Sequence, residues 1–167
     1  RRAEAPSVEV TALKRGNGQT TDRIGLVVPT SLCSGQIARM AVERLQQRYR
    51  DGASSISRFA TLVHTEGCGV GGKGNEEIYA RTLTGYATHP LVDLVMMLEH
   101  GCEMKHNDLW HQQLAKAGLS AEQYGWVSVQ IDGGNDIAQR RNHELRRGAG
   151  DHIYVVSASG EDFGEHA

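Results

Sequence analysis

Short apolar runs alternate with helix-like segments along this chain, and that alternation restricts its fold more than any other feature. The runs have the length of strands and lie at residues 24–28, 59–63, 91–98, 126–131 and 153–157. Continuous apolar runs of this kind are typical of strands that are buried on both faces of a parallel sheet. Right-handed crossovers between such strands would bring the ends of all of them to one edge of the sheet.

The segments between the runs have the features of helices. Helices are predicted from near Ser34, from an N-cap at Asn75 to Ala87, from Asn107 or Asp108 to Gly118, and over 137–145, with a short helical connection over 119–125 capped by Ser120. The predicted fold is therefore α/β: a three-layer α/β/α, Rossmann-like domain with a mainly parallel sheet of about five strands.

The ends of the chain differ from its middle. Residues 1–22 are mostly polar and are predicted to form a lead-in or linker, whereas 159–167 form a polar tail. Residues 23–158 then make a single α/β domain, which suits a chain of 167 residues. Because the first residue is Arg rather than Met, we expect a fragment of a longer chain.

Composition excludes several classes of function. The net charge is −2 and no basic stripe is present, so nucleic acid is not an expected partner. No apolar run approaches the ~18–20 residues of a membrane span, so no membrane association is expected. Three widely spaced cysteines do not suggest a secreted disulfide framework, and they favour a reducing cytoplasm.

The three cysteines occupy equivalent places in the chain. Cys33, Cys68 and Cys102 each follow a predicted strand, at separations of 35 and 34 residues. They should therefore meet at the carboxyl edge of the sheet, where open α/β sheets bind ligands. A single cysteine is most often a small buried hydrophobe. Three at equivalent junctions indicate instead a thiolate site for iron or an iron–sulfur cluster, whereas the absence of a Cys-x-x-Cys pair gives no support for structural zinc.

Glycines around Cys68 also resemble phosphate-binding loops. Residues 67–72 fit the Gly-x-Gly-x-x-Gly pattern, but no acidic residue stands where a ribose partner belongs. Residues 67–73 resemble a P-loop until Gly74 takes the place of the hydroxyl residue that would hold magnesium. Both nucleotide hypotheses are therefore disfavoured.

Histidines and carboxylates add candidates for proton transfer. His64 and His100 lie at the junctions and are the best candidates for metal binding or proton transfer among the eight histidines, whereas His89 could simply stabilise a turn before Pro90. Glu66, Glu99 and Glu103 share the predicted edge and could be general bases, metal ligands or partners of helix N-termini. For Glu103 the last role is the commonest.

At these junctions the sequence resembles the altronate/galactarate dehydratase family of sugar-acid hydro-lyases. The resemblance runs from about residue 18 to 148 and covers the central α/β domain only. The matching pieces are Val28-Pro-Thr-Ser-Leu-Cys33-Ser, His64-Thr-Glu-Gly-Cys68-Gly, Arg81-Thr-Leu-Thr-Gly-Tyr86-Ala-Thr-His89-Pro90, Gly101-Cys102-Glu103, and Val129-Gln130 with Gly133-Gly134.

The resemblance implies iron-dependent β-elimination of water from a sugar acid such as altronate or galactarate, with iron as Fe²⁺ or an iron–sulfur cluster. It further implies flanking domains outside this chain and an enzyme that can form homo-oligomers. By analogy, the metal ligands are Cys33, Cys68, Cys102 and His64, the catalytic or supporting residues are His64, Glu66, His89 and Glu103, and the substrate-binding residues are Thr30, Ser31, Thr65, Gly67, Gly69, Gly133 and Gly134. The alternative is a non-catalytic ligand-binding or regulatory module of the same fold.

Overall fold

The computed structural model describes residues 9–15, 18–51, 54–131, 144–147 and 151–154. In chain order the elements are β1 (Leu13–Arg15), β2 (Gly18–Thr20), β3 (Ile24–Pro29), α1 (Leu32–Arg48), β4 (Arg58–Thr61), α2 (Lys73–Ala87), β5 (Val92–Glu99), α3 (Asn107–Lys116), a 3₁₀ turn (Ala121–Gln123), β6 (Gly125–Ser128), β7 (Glu144–Arg147) and β8 (Asp151–Tyr154). Strands β1 and β2 form a short antiparallel ribbon ahead of the main sheet.

The main sheet contains four parallel strands in the order β4-β3-β5-β6. All eight residues of β5 are buried, as expected for a central strand covered on both faces. The register between β3 and β5 shifts by one residue after Ile24, so Asp93 has no opposite residue in β3. The predicted parallel α/β fold is confirmed.

Alternate residues of the strands contribute to two separate apolar clusters. Val27 and Met96 pack with α1 on one face, where Ala38, Val42 and Leu45 recur at helical spacing. On the other face Val28 and Met97 pack with α2 and α3, which contribute large side chains such as Tyr79 and Trp110. None of the helices in the described part of the chain combines the length and the apolar character that a membrane span requires.

The strand order determines where three loops meet. From β3 the chain moves to β4 on one side and then to β5 on the other, so β3 lies between the two strands that follow it in sequence. Because all four strands are parallel, the loops that follow β3, β4 and β5 leave the sheet at the same edge. Such a switch in strand order leaves a crevice at the carboxyl edge.

Two predicted boundaries are wrong. Asn75 is not an N-cap, because α2 begins at Lys73 and is preceded by Gly72, whose φ of +87° suits glycine. The predicted helix over 137–145 cannot extend to residue 145, because Glu144–Arg147 is strand β7. The rest of that helix lies outside the described residues.

The predicted fifth strand is also wrong in its placement. Within the part of the chain that is described, the main sheet has four strands. Asp151–Tyr154, which overlaps the predicted strand 153–157, pairs antiparallel with β7 in a ribbon of its own. An apolar run of this length does not specify its partner strand, because pairing depends on long-range contacts.

Candidate functional site

The three cysteine thiols meet at the carboxyl edge of the sheet. The Sγ atom of Cys68 lies 3.0 Å from that of Cys33 and 3.3 Å from that of Cys102. All three sulfur atoms are within 4.8 Å of one another. Each is a free thiol; Cys33 and Cys102 are exposed and Cys68 is half-buried. The three junctions that were predicted to converge therefore do so.

The spacing of the sulfur atoms fits a single metal ion. Sulfur ligands that share one tetrahedral ion with bonds of about 2.3 Å lie roughly 3.8 Å apart; the two measured separations are somewhat shorter, and none of the three exceeds 4.8 Å. In a four-iron cluster each cysteine binds a different iron atom, so its sulfur atoms would be held further apart. Soft sulfur donors suit iron or another thiophilic ion.

The close neighbour of Cys33 affects its ionisation. The hydrogen bond with the Cys68 thiol, together with burial, raises the pKa of Cys33 above its ordinary value. Cys33 therefore remains a thiol at neutral pH when no cation is near, and its binding to a metal as a thiolate must displace a proton.

Backbone hydrogen bonds hold the three cysteine-bearing loops together. The N–H of Leu32 donates to the carbonyl of Glu66 at 2.7 Å, which joins the start of α1 to the loop after β4. The N–H of Met104 donates to the carbonyl of Cys68 at 2.9 Å, which joins that loop to the one after β5. The thiols are thus positioned by main-chain contacts that need no metal.

Glu103 is a buried carboxylate that joins two of these loops. It is 2% exposed, and its Oε1 accepts hydrogen bonds from the Ser31 hydroxyl at 2.7 Å and the His100 N–H at 2.6 Å. The N–H of Gly101 donates to Oε2 at 2.6 Å, and the Thr30 hydroxyl lies 3.3 Å from Oε1. Burial raises the pKa of Glu103, but these hydrogen bonds outweigh it and hold the pKa below its usual range.

Glu99, rather than Glu103, accepts a hydrogen bond from the N-terminus of the helix that follows β5. Its buried carboxylate accepts the backbone N–H of Asn107, the first residue of α3, and lies 3.8 Å from the ring of His106. The commonest role expected for Glu103, as a partner of a helix N-terminus, is therefore wrong, and Glu99 has that role. A carboxylate at the N-terminus of a helix interacts favourably with the helix dipole and so stabilises the helix.

His64 lies beside the thiols but outside their cluster. Its Nε2 is 2.9 Å from the carbonyl of Pro29. Because a carbonyl can only accept, Nε2 must carry the proton, which leaves a neutral ring's Nδ1 as an acceptor. That Nδ1 is buried and has no hydrogen-bond partner. Among the described residues the group of potential metal ligands contains the three cysteines and not His64.

Tyr79 on α2 supports His64 and was not found from the sequence. Its ring meets that of His64 edge-on, with centroids 5.6 Å apart, and its hydroxyl donates to the carbonyl of Thr30. Burial, with the negative charges of Glu103 and Glu66, strongly raises the pKa of Tyr79, so its hydroxyl stays protonated. A tyrosine at helical spacing looks like any core residue in sequence, which is why no motif revealed it.

A cavity of about 520 Å³ opens between the loop after β4 and helix α2, and none of the three cysteines is among its lining residues. His64, Glu66 and Asn75 provide polar groups in its wall, and Ile78 and Leu83 provide apolar ones. The loop that lines it continues directly into Cys68. The cavity has room for a small organic acid, and Glu66 in its wall is two residues from Cys68 in the chain.

Cys102 has a second neighbour that the thiol cluster does not explain. The Nδ1 atom of His100 lies 3.3 Å from the Cys102 Sγ, and the Gln130 side chain approaches the same nitrogen at 3.5 Å. Gly101 between them has a φ of +105°, and a Cβ there would come within 2.8 Å of Gln130. The turn that presents Cys102 therefore requires glycine.

The remaining predicted site residues do not all lie at the carboxyl edge of the sheet. Thr65, Glu66, Gly67 and Gly69 are exposed on the loop that leads to Cys68 or flanks it. Thr30 and Ser31 are buried with their hydroxyls directed to Glu103. His89 is not brought to this edge, because it precedes β5 at the amino-terminal end, where its Nδ1 accepts the N–H of Leu91. Gly133 and Gly134 lie outside the described residues.

Comparison with protein families gives a match over most of the chain. The model of the second domain of D-galactarate dehydratase/altronate hydrolase matches residues 14–149, a span that includes the four parallel strands and all three cysteines. Searches of curated proteins and of solved structures returned no match.

Proposed function

Because the chain belongs to the D-galactarate dehydratase/altronate hydrolase family, of which it represents the second domain, we propose that it is the metal-holding domain of a hydro-lyase. The reaction is elimination of water from a sugar acid of the altronate or galactarate type. The convergence of the Cys33, Cys68 and Cys102 thiols within 4.8 Å is the observation that carries the proposal. Iron is the proposed cofactor, held by these three sulfurs as a single Fe²⁺ ion.

In this proposal, residues of the chain accept the proton and hold the ion that a β-elimination requires. A base must take the proton next to the carboxylate, and the hydroxyl on the neighbouring carbon must leave. The bound ion would supply Lewis-acid assistance to the departing hydroxyl. His64 and Glu66 line the cavity and are the proposed proton acceptors.

The surrounding residues hold this arrangement. Glu103 joins the loops that carry Cys33 and Cys102, and Tyr79 packs against His64. The exposed thiols can bind iron only while reduced, so the proposal also places the domain in a reducing compartment such as the cytoplasm. Flanking domains or further subunits would complete a substrate pocket around an edge that is open here.

The ligand role is tested by iron content. The Cys68→Ser variant, prepared and loaded with ferrous iron under anaerobic conditions, should retain less than about a tenth of the iron, because Cys68 lies between the other two thiols. The matched control is Gln112→Ser, an exposed position on α3, which should bind as the unaltered chain does. Iron content that is unchanged in Cys68→Ser would refute the ligand role.

Catalysis is tested on the longest natural protein that contains this chain. It is assayed anaerobically with ferrous iron against a panel of aldarates and aldonates, and product is detected as the dehydrated keto acid. Dehydration of at least one acid, lost in Cys68→Ser and kept in Gln112→Ser, supports the hydro-lyase. A protein that binds iron but dehydrates no acid would favour the non-catalytic ligand-binding module.

A further inference from the structure

We propose that Cys33 and Cys68 are a site of oxidative modification, at which a peroxide converts the two thiols into a disulfide. The disulfide itself depends only on the thiols of this chain. Its consequence, loss of the metal site, rests on the proposed function. Nothing in the family match concerns oxidation of these residues.

The two sulfur atoms are already close to bonding distance. They lie 3.0 Å apart, so an approach of about 1 Å brings them to the ~2.05 Å of a disulfide. Cys33 is exposed and Cys68 is half-buried, which gives a dissolved oxidant access to the first and leaves the second beside it. Two thiols in this relation match a pair in which one sulfur is oxidised and its neighbour resolves it.

The backbone holds this pair together without a metal. The hydrogen bond from the Leu32 N–H to the Glu66 carbonyl fixes the residue before Cys33 to a residue two positions before Cys68. On either side of Cys68, a Cβ added to Gly67 or Gly69 would meet no atom within 4 Å. No atom near these two positions would therefore block a short movement of the Cys68 side chain towards Cys33, while the Met104 N–H continues to hold the Cys68 carbonyl.

Cys102 is the less suitable partner for Cys68. Its sulfur is further away, at 3.3 Å, and it also contacts His100 Nδ1 at 3.3 Å. It sits after Gly101, whose φ of +105° and close approach to Gln130 restrict the turn. The closer and less constrained pair is Cys33 with Cys68, which leaves Cys102 as a free thiol.

The chemistry balances with a hydroperoxide as the oxidant. The Cys33 thiol loses its proton as its sulfur attacks one peroxide oxygen, the O–O bond breaks, and that proton leaves with the displaced hydroxide as water, so the products are a sulfenic acid and water when the oxidant is hydrogen peroxide. The Cys68 sulfur then attacks the sulfenic sulfur, and its S–H proton leaves with the hydroxyl as a second water. Two electrons pass from the two thiols to one peroxide molecule, and a dithiol can reverse the change by exchange.

Oxidation would then control metal loading. The reduced chain offers three sulfurs that lie within 4.8 Å of one another, and the disulfide leaves only that of Cys102 as a thiolate ligand. Thiolates, and not disulfide sulfurs, bind such ions. A peroxide would thus be expected to prevent iron from binding until the disulfide is reduced.

The test uses the full chain, freed of metal with a chelator and treated anaerobically with about one equivalent of hydrogen peroxide. Free thiols should fall from three to one per chain, and dithiothreitol should restore them. A tryptic map without reduction should join residues 24–39 to residues 59–73, leaving residues 82–105 unlinked. The Cys102→Ser variant should form the same link, whereas Cys33→Ser should lose thiols about tenfold more slowly.

A link between residues 59–73 and 82–105 would overturn the proposal, as would sulfinic acid or links between chains without the expected link. Iron binding is measured separately on the reduced chain. If the disulfide forms but the reduced chain binds no iron, the proposed function fails and this site stands. If the reduced chain binds iron but no disulfide forms, the proposed disulfide site fails and the proposed function stands.

Discussion

At the scale of single residues, Glu103 is a buried carboxylate that joins two of the loops that carry the thiols. Its carboxylate accepts two backbone N–H groups and the Ser31 hydroxyl, all within 2.7 Å. Hydrogen bonds of this kind to an ionised group are stronger than neutral ones. They offset the cost of burying the charge, and they connect the loop after β3 to the loop after β5.

We expect Glu103→Gln to destabilise the chain by about 1–3 kcal/mol, because an amide has one acceptor oxygen where the carboxylate has two. The amide nitrogen would then face a backbone N–H that needs an acceptor. Urea unfolding at pH 7 measures the change. Glu43→Gln, an exposed position on α1, is the matched control and should change the free energy of unfolding by less than about 0.5 kcal/mol. A loss in Glu103→Gln no larger than that of the control would contradict the role.

The unaltered chain and the Glu103→Gln variant should differ in how their free energies of unfolding depend on pH. The folded-state pKa of Glu103 lies below the ordinary value of 4.5, so the ionised carboxylate contributes stability that is fully present above that value. The contribution is lost as the pH falls through the folded-state pKa. The gap in unfolding free energy between the unaltered chain and Glu103→Gln should therefore narrow below pH 4.5. A gap that stays constant to pH 3 would show that another group provides the stability.

The sequence predicts the position of Glu103 at this edge and misses its partners. Its neighbour Cys102 and the preceding strand place it at the junction, but the groups that bind it come from loops about 70 residues apart. Ser31 follows β3, while His100 and Gly101 follow β5. Local signals cannot report which strands become neighbours, so the sequence leaves the helix-partner role open among Glu66, Glu99 and Glu103, and the structure gives it to Glu99.

At the scale of elements, each cysteine is presented by a turn of different construction. Cys33 lies in the first turn of α1, Cys68 lies between two glycines with open space around them, and Cys102 follows a glycine with positive φ. The sequence predicts the three junctions because the change from apolar run to helical spacing is a strong local signal. It does not separate the glycines that a turn requires from those that it merely tolerates.

The turn at Gly101 allows a direct comparison of two glycines. Gly101→Ala should destabilise the chain by about 1–3 kcal/mol, because alanine is strained at positive φ and its Cβ would come within 2.8 Å of Gln130. Gly85→Ala, in the last turns of α2 with open space around it, should instead stabilise it by about 0.5–1 kcal/mol. Thermal or urea unfolding of both variants checks the opposite signs. Equal effects would mean that the conformation of Gly101 is not required.

At the scale of the whole molecule, the two edges of the sheet have different contents. The carboxyl edge holds the thiols, Glu103, His64 and the Lys105–Glu76 ion pair, whereas the described part of the amino edge holds ion pairs and none of the cysteines. Arg23 before β3 binds the buried Asp93 of β5 at 2.7 Å, and Arg58 at the start of β4 binds Asp22 at 2.7 Å. The parallel α/β architecture and the meeting of the cysteines could be predicted from the sequence, because both follow from the order of elements. The amino-edge ion pairs could not, since Arg23 and Asp93 are 70 residues apart and match no motif.

This division predicts that fold stability and metal binding can be changed separately. Arg23→Gln should destabilise the chain by about 2–3 kcal/mol, because it removes an ion pair and two hydrogen bonds from a buried carboxylate. Arg58→Gln, whose pair is exposed, should cost less than about 1 kcal/mol. Both should bind as much iron per folded molecule as the unaltered chain, since neither residue lies at the thiol edge. Urea unfolding combined with anaerobic iron content checks both quantities. Loss of iron from folded Arg23→Gln would show that the two edges are coupled through β3, whose residues join the Arg23 end to the Cys33 loop.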